Sequence, residues 1–180
     1  MKTSPPTNKF FKIGLKGKII FFIFIIIFLL YNLKDYSSIN VPALNNEMEP
    51  RIKPGQKIYL YQRPSVTKYQ TGDIIWAKHK RKMGFKLYRI IGAFGDKISV
   101  EAGVVFRNGS ALSEQPLGLP KTLMVESRKI EEASYFLIYN NQLISETDSL
   151  VEGAYKADEL EIKGKLFFYM PNDTVKVSEP

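Results

Sequence analysis

The sequence predicts a mainly β domain, of barrel or folded-sheet type, behind one N-terminal transmembrane helix. An unbroken run of Ile, Phe and Leu at residues 19–30 predicts the helix. Beyond it, short segments rich in β-branched and aromatic residues alternate with Gly and Pro, which is typical of β structure. After the apolar run, the 180-residue chain retains the length of one ordinary domain with its own core.

The apolar run is predicted to be an uncleaved signal anchor. Residues 19–30 are fewer than the ~20 that cross a bilayer. Residues 15–33 supply that length, because Lys16 and Lys18 can extend their ammonium groups to the lipid headgroups. No small-x-small cleavage pattern follows the run, which argues against a cleaved signal peptide.

The charge before the run predicts its orientation. Residues 1–18 contain five lysines and no acidic residue, so the positive-inside rule places them in the cytoplasm and the rest of the chain outside. These lysines also carry five of the eight net positive charges. We therefore expect membrane lipid, rather than nucleic acid, as the partner of this basic tail.

Cysteine and histidine usage excludes several kinds of site. The chain has no Cys, so disulfides and thiolate metal sites are impossible. It has one His, His79, which argues against a His-based zinc site and against a Ser-His-Asp triad. Because His79 lies in a Lys/Arg-rich stretch, we expect a solvated surface residue. We expect no cofactor and no metal.

The predicted organisation has four parts. They are a cytoplasmic tail at 1–18, the transmembrane anchor at 19–33, a polar linker at 34–45 and an extracytoplasmic β domain at 46–180. Strands are predicted at 57–61, 73–77, 85–91, 97–100, 104–106, 134–138 and 166–170.

Three further segments connect these strands. Asn108-Gly109 predicts a tight hairpin, because a type I′ turn needs positive φ at both central residues. Residues 112–133 are predicted to be an inserted loop or small subdomain, and residues 156–164 a turn or a single helical turn.

Four motifs of the predicted domain follow one another in a recognisable order. They are Asn46-Glu47-Met48-Glu49-Pro50 with Gly55, then Gly72-Asp73-Ile74-Ile75, then residues 88–96, and then Gly103 with Asn108-Gly109. In order and spacing they resemble bacterial type I signal peptidases, the membrane-anchored enzymes that cut signal peptides from exported proteins. The resemblance implies a β-rich fold with two antiparallel sheet regions and an apolar face near the membrane.

The positions at which the sequence differs from this family are those that carry the family's catalytic chemistry. The resemblance implies a Ser-Lys dyad, with Ser just before Met-x-Pro and Lys before Arg-Ile/Val-Ile/Val-Gly. Glu47 stands at the Ser position and Tyr88 at the Lys position. A carboxylate lacks the hydroxyl that forms an acyl-enzyme, and a phenol with a pKa of about 10 is a poor base at neutral pH. We therefore expect no intact catalytic residue.

A third family box, Gly-Asp-Asn-Arg, is also lost. Tyr139-Asn140-Asn141-Gln142 stands there, although Asp148-Ser149 keeps the end of the box. Lys86 would share a strand face with Tyr88, so it is a candidate relocated base; the alternative is a solvated strand charge.

Further expectations concern the neighbourhood of the dyad positions. By the resemblance, Met48, Pro50 and Ile90 are candidates for a substrate groove. We also expect the Tyr88 hydroxyl to donate a hydrogen bond to the Glu47 carboxylate; the alternative is that each side chain points separately into solvent.

These observations predict a signal-peptidase-family protein of the bacterial cytoplasmic membrane, single-pass, with its N-terminus inside. We expect it to be catalytically inactive and to act by binding signal peptides of exported proteins or an active signal peptidase. Two alternatives stay open. One is an active membrane serine-type endopeptidase with relocated catalytic residues, and the other is an unrelated membrane-anchored structural β domain.

Overall fold

The computed structural model describes residues 14–62, 69–143 and 148–169. The chain divides into two compact units, residues 1–35 and residues 36–180. The first contains the helix α1, Leu15–Leu33, with 19 residues, a mean hydropathy of 2.0 and no buried residue. By length and composition this helix can cross a membrane. It has the extent predicted when Lys16 and Lys18 are included, and most of the predicted tail at 1–18 lies outside the described residues.

The second unit is built from two antiparallel sheets. Its strands are β1 (Tyr36–Asn40), β2 (Lys57–Tyr61), β3 (Ile74–His79), β4 (Lys86–Gly92), β5 (Lys97–Glu101), β6 (Val104–Arg107), β7 (Ser110–Ala111), β8 (Val125–Lys129), β9 (Ser134–Ile138), β10 (Tyr155–Lys156) and β11 (Leu160–Tyr169). One sheet has the order β1-β2-β11-β3-β4-β9-β10, and the other has the order β7-β6-β5-β8. The fold is mainly β with one N-terminal apolar helix, as predicted.

Local sequence explains the connections between strands. Asn108 and Gly109 have φ values of 52° and 82°, so the predicted Asn-Gly hairpin joins β6 to β7. A short helix α2, Ser149–Glu152, begins at Asp148, whose side chain caps it by accepting from the Leu150 N–H.

Strand β4 lies between β3 and β9 in the larger sheet and contributes residues to three apolar clusters. Six of its seven residues are buried. Leu87 packs in a cluster with Met48, whereas Ile90 packs with Tyr88 in a second cluster. Ile91 belongs to the third cluster, which includes residues of the smaller sheet. Residues carried by β4 therefore sit where the sheets and the 46–55 segment meet.

Four expectations about the domain need correction. The expected linker at 34–45 contains β1, an edge strand whose residues alternate between exposed and half-buried. A polar sequence is compatible with that pattern. The expected inserted loop at 112–133 contains β8, which pairs with β5. Within 156–164 a 3₁₀ turn, Ala157–Glu159, occupies only the start, and β11 begins at Leu160. His79 is 7% exposed rather than solvated, because it ends β3 and packs against Tyr155.

Candidate functional site: the 46–55 segment and strand β4

Residues 46–55 form a compact turn fixed to its surroundings by main-chain hydrogen bonds. Within it, Ile52 N–H donates to the Met48 carbonyl over 3.0 Å, and Gly55 N–H donates to the Val41 carbonyl over 2.8 Å. Gly55 has a φ of 77°, which glycine adopts without steric cost. On the other side, Asn141 N–H donates to the Glu47 carbonyl over 2.9 Å. Asn141 therefore holds the backbone at residue 47, and Val41 holds the end of the turn at Gly55.

The side chain at the predicted nucleophile position, Glu47, is engaged in a buried ion pair. Lys86 Nζ lies 2.8 Å from Glu47 Oε1, and the two side chains are 16% and 1% exposed. An opposite charge at this distance favours the ionised form of both groups. A protonated ammonium cannot accept a proton, so this contact opposes a role for Lys86 as a general base. The alternative of a solvated strand charge is wrong, because Lys86 is mostly buried.

Tyr88, at the predicted Lys position, belongs to an aromatic cluster. Its ring stacks on Tyr139 with centroids 5.0 Å apart and an interplanar angle of 22°. The Tyr139 hydroxyl donates to the Tyr88 hydroxyl over 3.2 Å. Both Tyr88 and Glu47 are buried, which excludes the alternative that each points into solvent. The hydrogen bond from Tyr88 to Glu47 stays a prediction.

The three groove candidates occupy different environments. Met48 and Ile90 are 1% and 0% exposed and pack in the apolar clusters, so their side chains are not available to a peptide in this conformation. Pro50 is exposed and lines a cavity of about 390 Å³ together with Arg51 and Asn140. A groove role therefore stays a prediction for Pro50 and needs correction for the side chains of Met48 and Ile90.

A cluster that sequence reasoning missed borders the same cavity. Arg89 Nη1 and Nη2 donate to the two carboxylate oxygens of Glu114 over 2.6 and 2.7 Å, and Arg51 Nη1 donates to Oε2 over 2.7 Å. The hydrogen bonds from Arg89 hold the pKa of the Glu114 carboxyl below its usual value. Glu114 lies in the 112–133 segment. Its pairing with Arg51 has no local sequence signal, because 63 residues separate them.

Asp148 and Ser149, at the predicted end of the third box, form hydrogen bonds that hold neighbouring segments together. Asp148 Oδ2 accepts from the Tyr139 N–H over 2.8 Å and from Gln142 Nε2 over 2.7 Å, and Oδ1 accepts from Leu150 N–H over 2.9 Å. Ser149 Oγ accepts from the Leu137 N–H over 2.9 Å. Burial raises the pKa of the Asp148 carboxyl, despite the hydrogen bonds that favour its ionised form. These contacts tie α2 to β9 and to residues 139–142.

The side chains at positions 47 and 88 determine which reactions this site can catalyse. Position 47 has a carboxylate paired with an ammonium, and position 88 has a phenol bonded to a second phenol. Neither pair contains a hydroxyl next to a free amine, which nucleophilic catalysis of the Ser-Lys type requires. Within the described ranges, no group of three or more His, Asp or Glu residues is arranged to hold a metal ion.

Comparison with known proteins identifies the family. The family model described as signal peptidase, peptidase S26, matches residues 16–170, which is most of the chain. A solved signal peptidase I from Enterococcus faecalis V583 is similar with 23% identity and a TM-score of 0.46, covering 57% of this chain and 99% of that one. No curated protein matches the chain. On the family match, the chain is a member of the signal peptidase family, peptidase S26.

Proposed function

We propose that this protein is a non-cleaving signal-peptidase-family member that binds signal peptides of exported proteins. The observation that carries the proposal is the buried Glu47–Lys86 ion pair at the nucleophile position. It supplies neither a hydroxyl nor an unprotonated amine. Loss of the nucleophile alone costs on the order of a millionfold in turnover in comparable serine enzymes.

The backbone features that shape the domain support a binding role. Gly55 and Asn108-Gly109 keep the positive φ values that their turns require, although the proton-transfer residues are replaced. An extended peptide can bind to a sheet edge through main-chain hydrogen bonds, without help from a catalytic side chain. The second candidate partner is an active signal peptidase. The unrelated structural β domain is no longer an alternative, because the family is established.

We place the β unit on the extracytoplasmic side of the bacterial cytoplasmic membrane. Five lysines precede the apolar run, and the positive-inside rule then keeps the N-terminus in the cytoplasm. Signal peptides emerge on the side where the β unit would lie. Protease added outside spheroplasts is expected to remove a C-terminal tag and to leave an N-terminal tag intact; the reverse pattern would contradict this orientation.

A preprotein cleavage assay tests the loss of activity. The full chain in lipid vesicles is compared with Glu47→Ser/Tyr88→Lys, and a photo-crosslinking signal peptide measures binding by both. We expect the wild type to crosslink the peptide without cutting it, and we expect cleavage only from the double variant. Cleavage by the wild type at enzyme-like rates would overturn the proposal. If Lys86→Met then abolished that cleavage, the active alternative with a relocated base would be correct.

A further inference from the structure

Residues 113–118, here called the strap, contact the 140–142 segment through an isolated main-chain bridge at Leu117. Leu117 N–H donates to the Asn140 carbonyl, and Gln142 N–H donates to the Leu117 carbonyl over 2.7 Å. The resulting bridge between Leu117 and Asn141 is parallel, unlike the antiparallel pairing of the named strands. Asn141 in turn donates its N–H to the Glu47 carbonyl. The strap thus lies one segment away from the nucleophile position.

A side-chain clamp holds the start of the strap. The Glu114 carboxylate receives hydrogen bonds from Arg51 and, in bidentate form, from Arg89. Arg89 is 7% exposed, so its guanidinium requires a carboxylate partner; a buried cation left unpaired is strongly destabilising. A separate extended peptide that binds to a sheet edge likewise gains affinity from main-chain hydrogen bonds and selectivity from its side-chain contacts.

We infer that residues 140–142, with Arg51 and Arg89, form a binding edge for an extended acidic peptide, and that the strap occupies this edge in cis. The inference goes beyond the proposed function: signal peptides carry a basic segment and an apolar segment, so an acidic peptide is a second class of ligand at a separate edge. The peptide carries an acidic residue three positions before an apolar one, as Glu114 precedes Leu117. A neutral peptide would leave Arg89 without a carboxylate.

The strap has the properties of a displaceable occupant. Glu114 is 44% exposed in its side chain, and Leu117 is 51% exposed. Residues 114–117 of the strap line a cavity of about 390 Å³ together with Pro50 and Arg51. A tethered segment competes at an effective concentration on the order of millimolar. Weakening its clamp should therefore raise the affinity of the edge for a peptide added in trans.

Fluorescence anisotropy with the full chain in detergent micelles tests this competition. The probe is a fluorescein-labelled, capped peptide with the strap sequence Ser-Glu-Gln-Pro-Leu-Gly, and a second probe carries Gln in place of its Glu. Glu114→Gln releases the clamp, and Glu126→Gln, an exposed position on β8, is the matched control. We expect Glu114→Gln to bind the acidic probe about tenfold more tightly than the wild type or the control, and about tenfold more tightly than it binds the Gln probe.

Amide hydrogen exchange at Gln142 gives an independent measurement. Its N–H is bonded to the Leu117 carbonyl, so exchange should accelerate in Glu114→Gln and slow again when the acidic probe is added. Equal probe affinities for the Glu114→Gln and Glu126→Gln variants, equal binding of the two probes, or unchanged Gln142 exchange would each overturn the inference. Signal-peptide crosslinking that persists in such a case leaves the proposed function standing. Probe binding without crosslinking would instead contradict that function and leave the acidic-peptide edge in place.

Discussion

The hydroxyl groups of Tyr88 and Tyr139 are hydrogen-bonded at 3.2 Å, and the two rings stack 5.0 Å apart. Tyr88 stands at the position predicted for the family's Lys, and Tyr139 begins the segment predicted to replace Gly-Asp-Asn-Arg. Two departures that are 51 residues apart in sequence are thus in direct contact. The Tyr139 ring packs beside the Tyr88 ring. Replacing Tyr88 alone would therefore remove the stacking and hydrogen-bond partner of Tyr139.

Tyr88→Lys alone is therefore expected to destabilise the fold. It places an ammonium in a buried aromatic cluster, at a cost of about 3 kcal/mol or more in the free energy of unfolding. Thermal and denaturant unfolding of the full chain measure this, with Phe94→Lys at an exposed position as the control. Adding Tyr139→Gly to Glu47→Ser/Tyr88→Lys should raise cleavage, because it gives the new Lys room. Equal stability of Tyr88→Lys and Phe94→Lys would contradict this account.

Lys86→Met should also destabilise the protein. It leaves the Glu47 carboxylate buried without its cation, which costs about 3–5 kcal/mol for a broken buried pair. The double variant Glu47→Leu/Lys86→Met removes both charges and should recover most of this loss in denaturant unfolding. Lys163→Met, at a half-exposed partner of Glu161, is the control and should show no comparable loss. A double variant as unstable as Lys86→Met would argue against the ion pair as the cause.

Glu47→Ser alone is expected to stay inactive towards preproteins. A Ser hydroxyl ends two covalent bonds short of the Glu carboxylate oxygen that contacts Lys86 at 2.8 Å. The new hydroxyl would then lie beyond the roughly 2.6–3.2 Å that proton transfer to the amine requires. Burst-phase acylation by a signal-peptide ester measures this directly. A burst in Glu47→Ser that disappears in Glu47→Ser/Lys86→Met would mean that Lys86 can act as the base.

Asp148 should give the stability a distinct pH dependence. Burial raises the pKa of its carboxyl above the ordinary 3.8, so the folded state binds the proton more tightly than the unfolded state. The contribution of protonated Asp148 to the free energy of unfolding is then complete below pH 3.8, and it declines as the pH rises through the raised pKa. The difference in unfolding free energy between wild type and Asp148→Asn should shrink over this range. The exposed control Asp158→Asn should show no such decline, and a difference that grew with pH would contradict the raised pKa.

Periodicity and turn chemistry in the sequence are sufficient to predict most strands of the β unit. The 57–61 and 134–138 strands match β2 and β9, and the Asn108-Gly109 hairpin is confirmed, because each depends on a local pattern. Strand β1 was missed because its polar sequence resembles a linker, and its pairing with β2 depends on residues about twenty positions away. His79 was placed in solvent because its charged neighbours hide the contact with Tyr155.

The sequence by itself determined the family, the apolar helix and the mainly β architecture, and it predicts the loss of both dyad residues. Each of these depends on residue identity, order and spacing along the chain. Tertiary structure alone decided that Lys86 neutralises Glu47, that Tyr139 supports Tyr88 and that Glu114 joins Arg51 to Arg89. These contacts join residues that lie 25 to 63 positions apart, and only the folded chain brings their charges and rings within bonding distance.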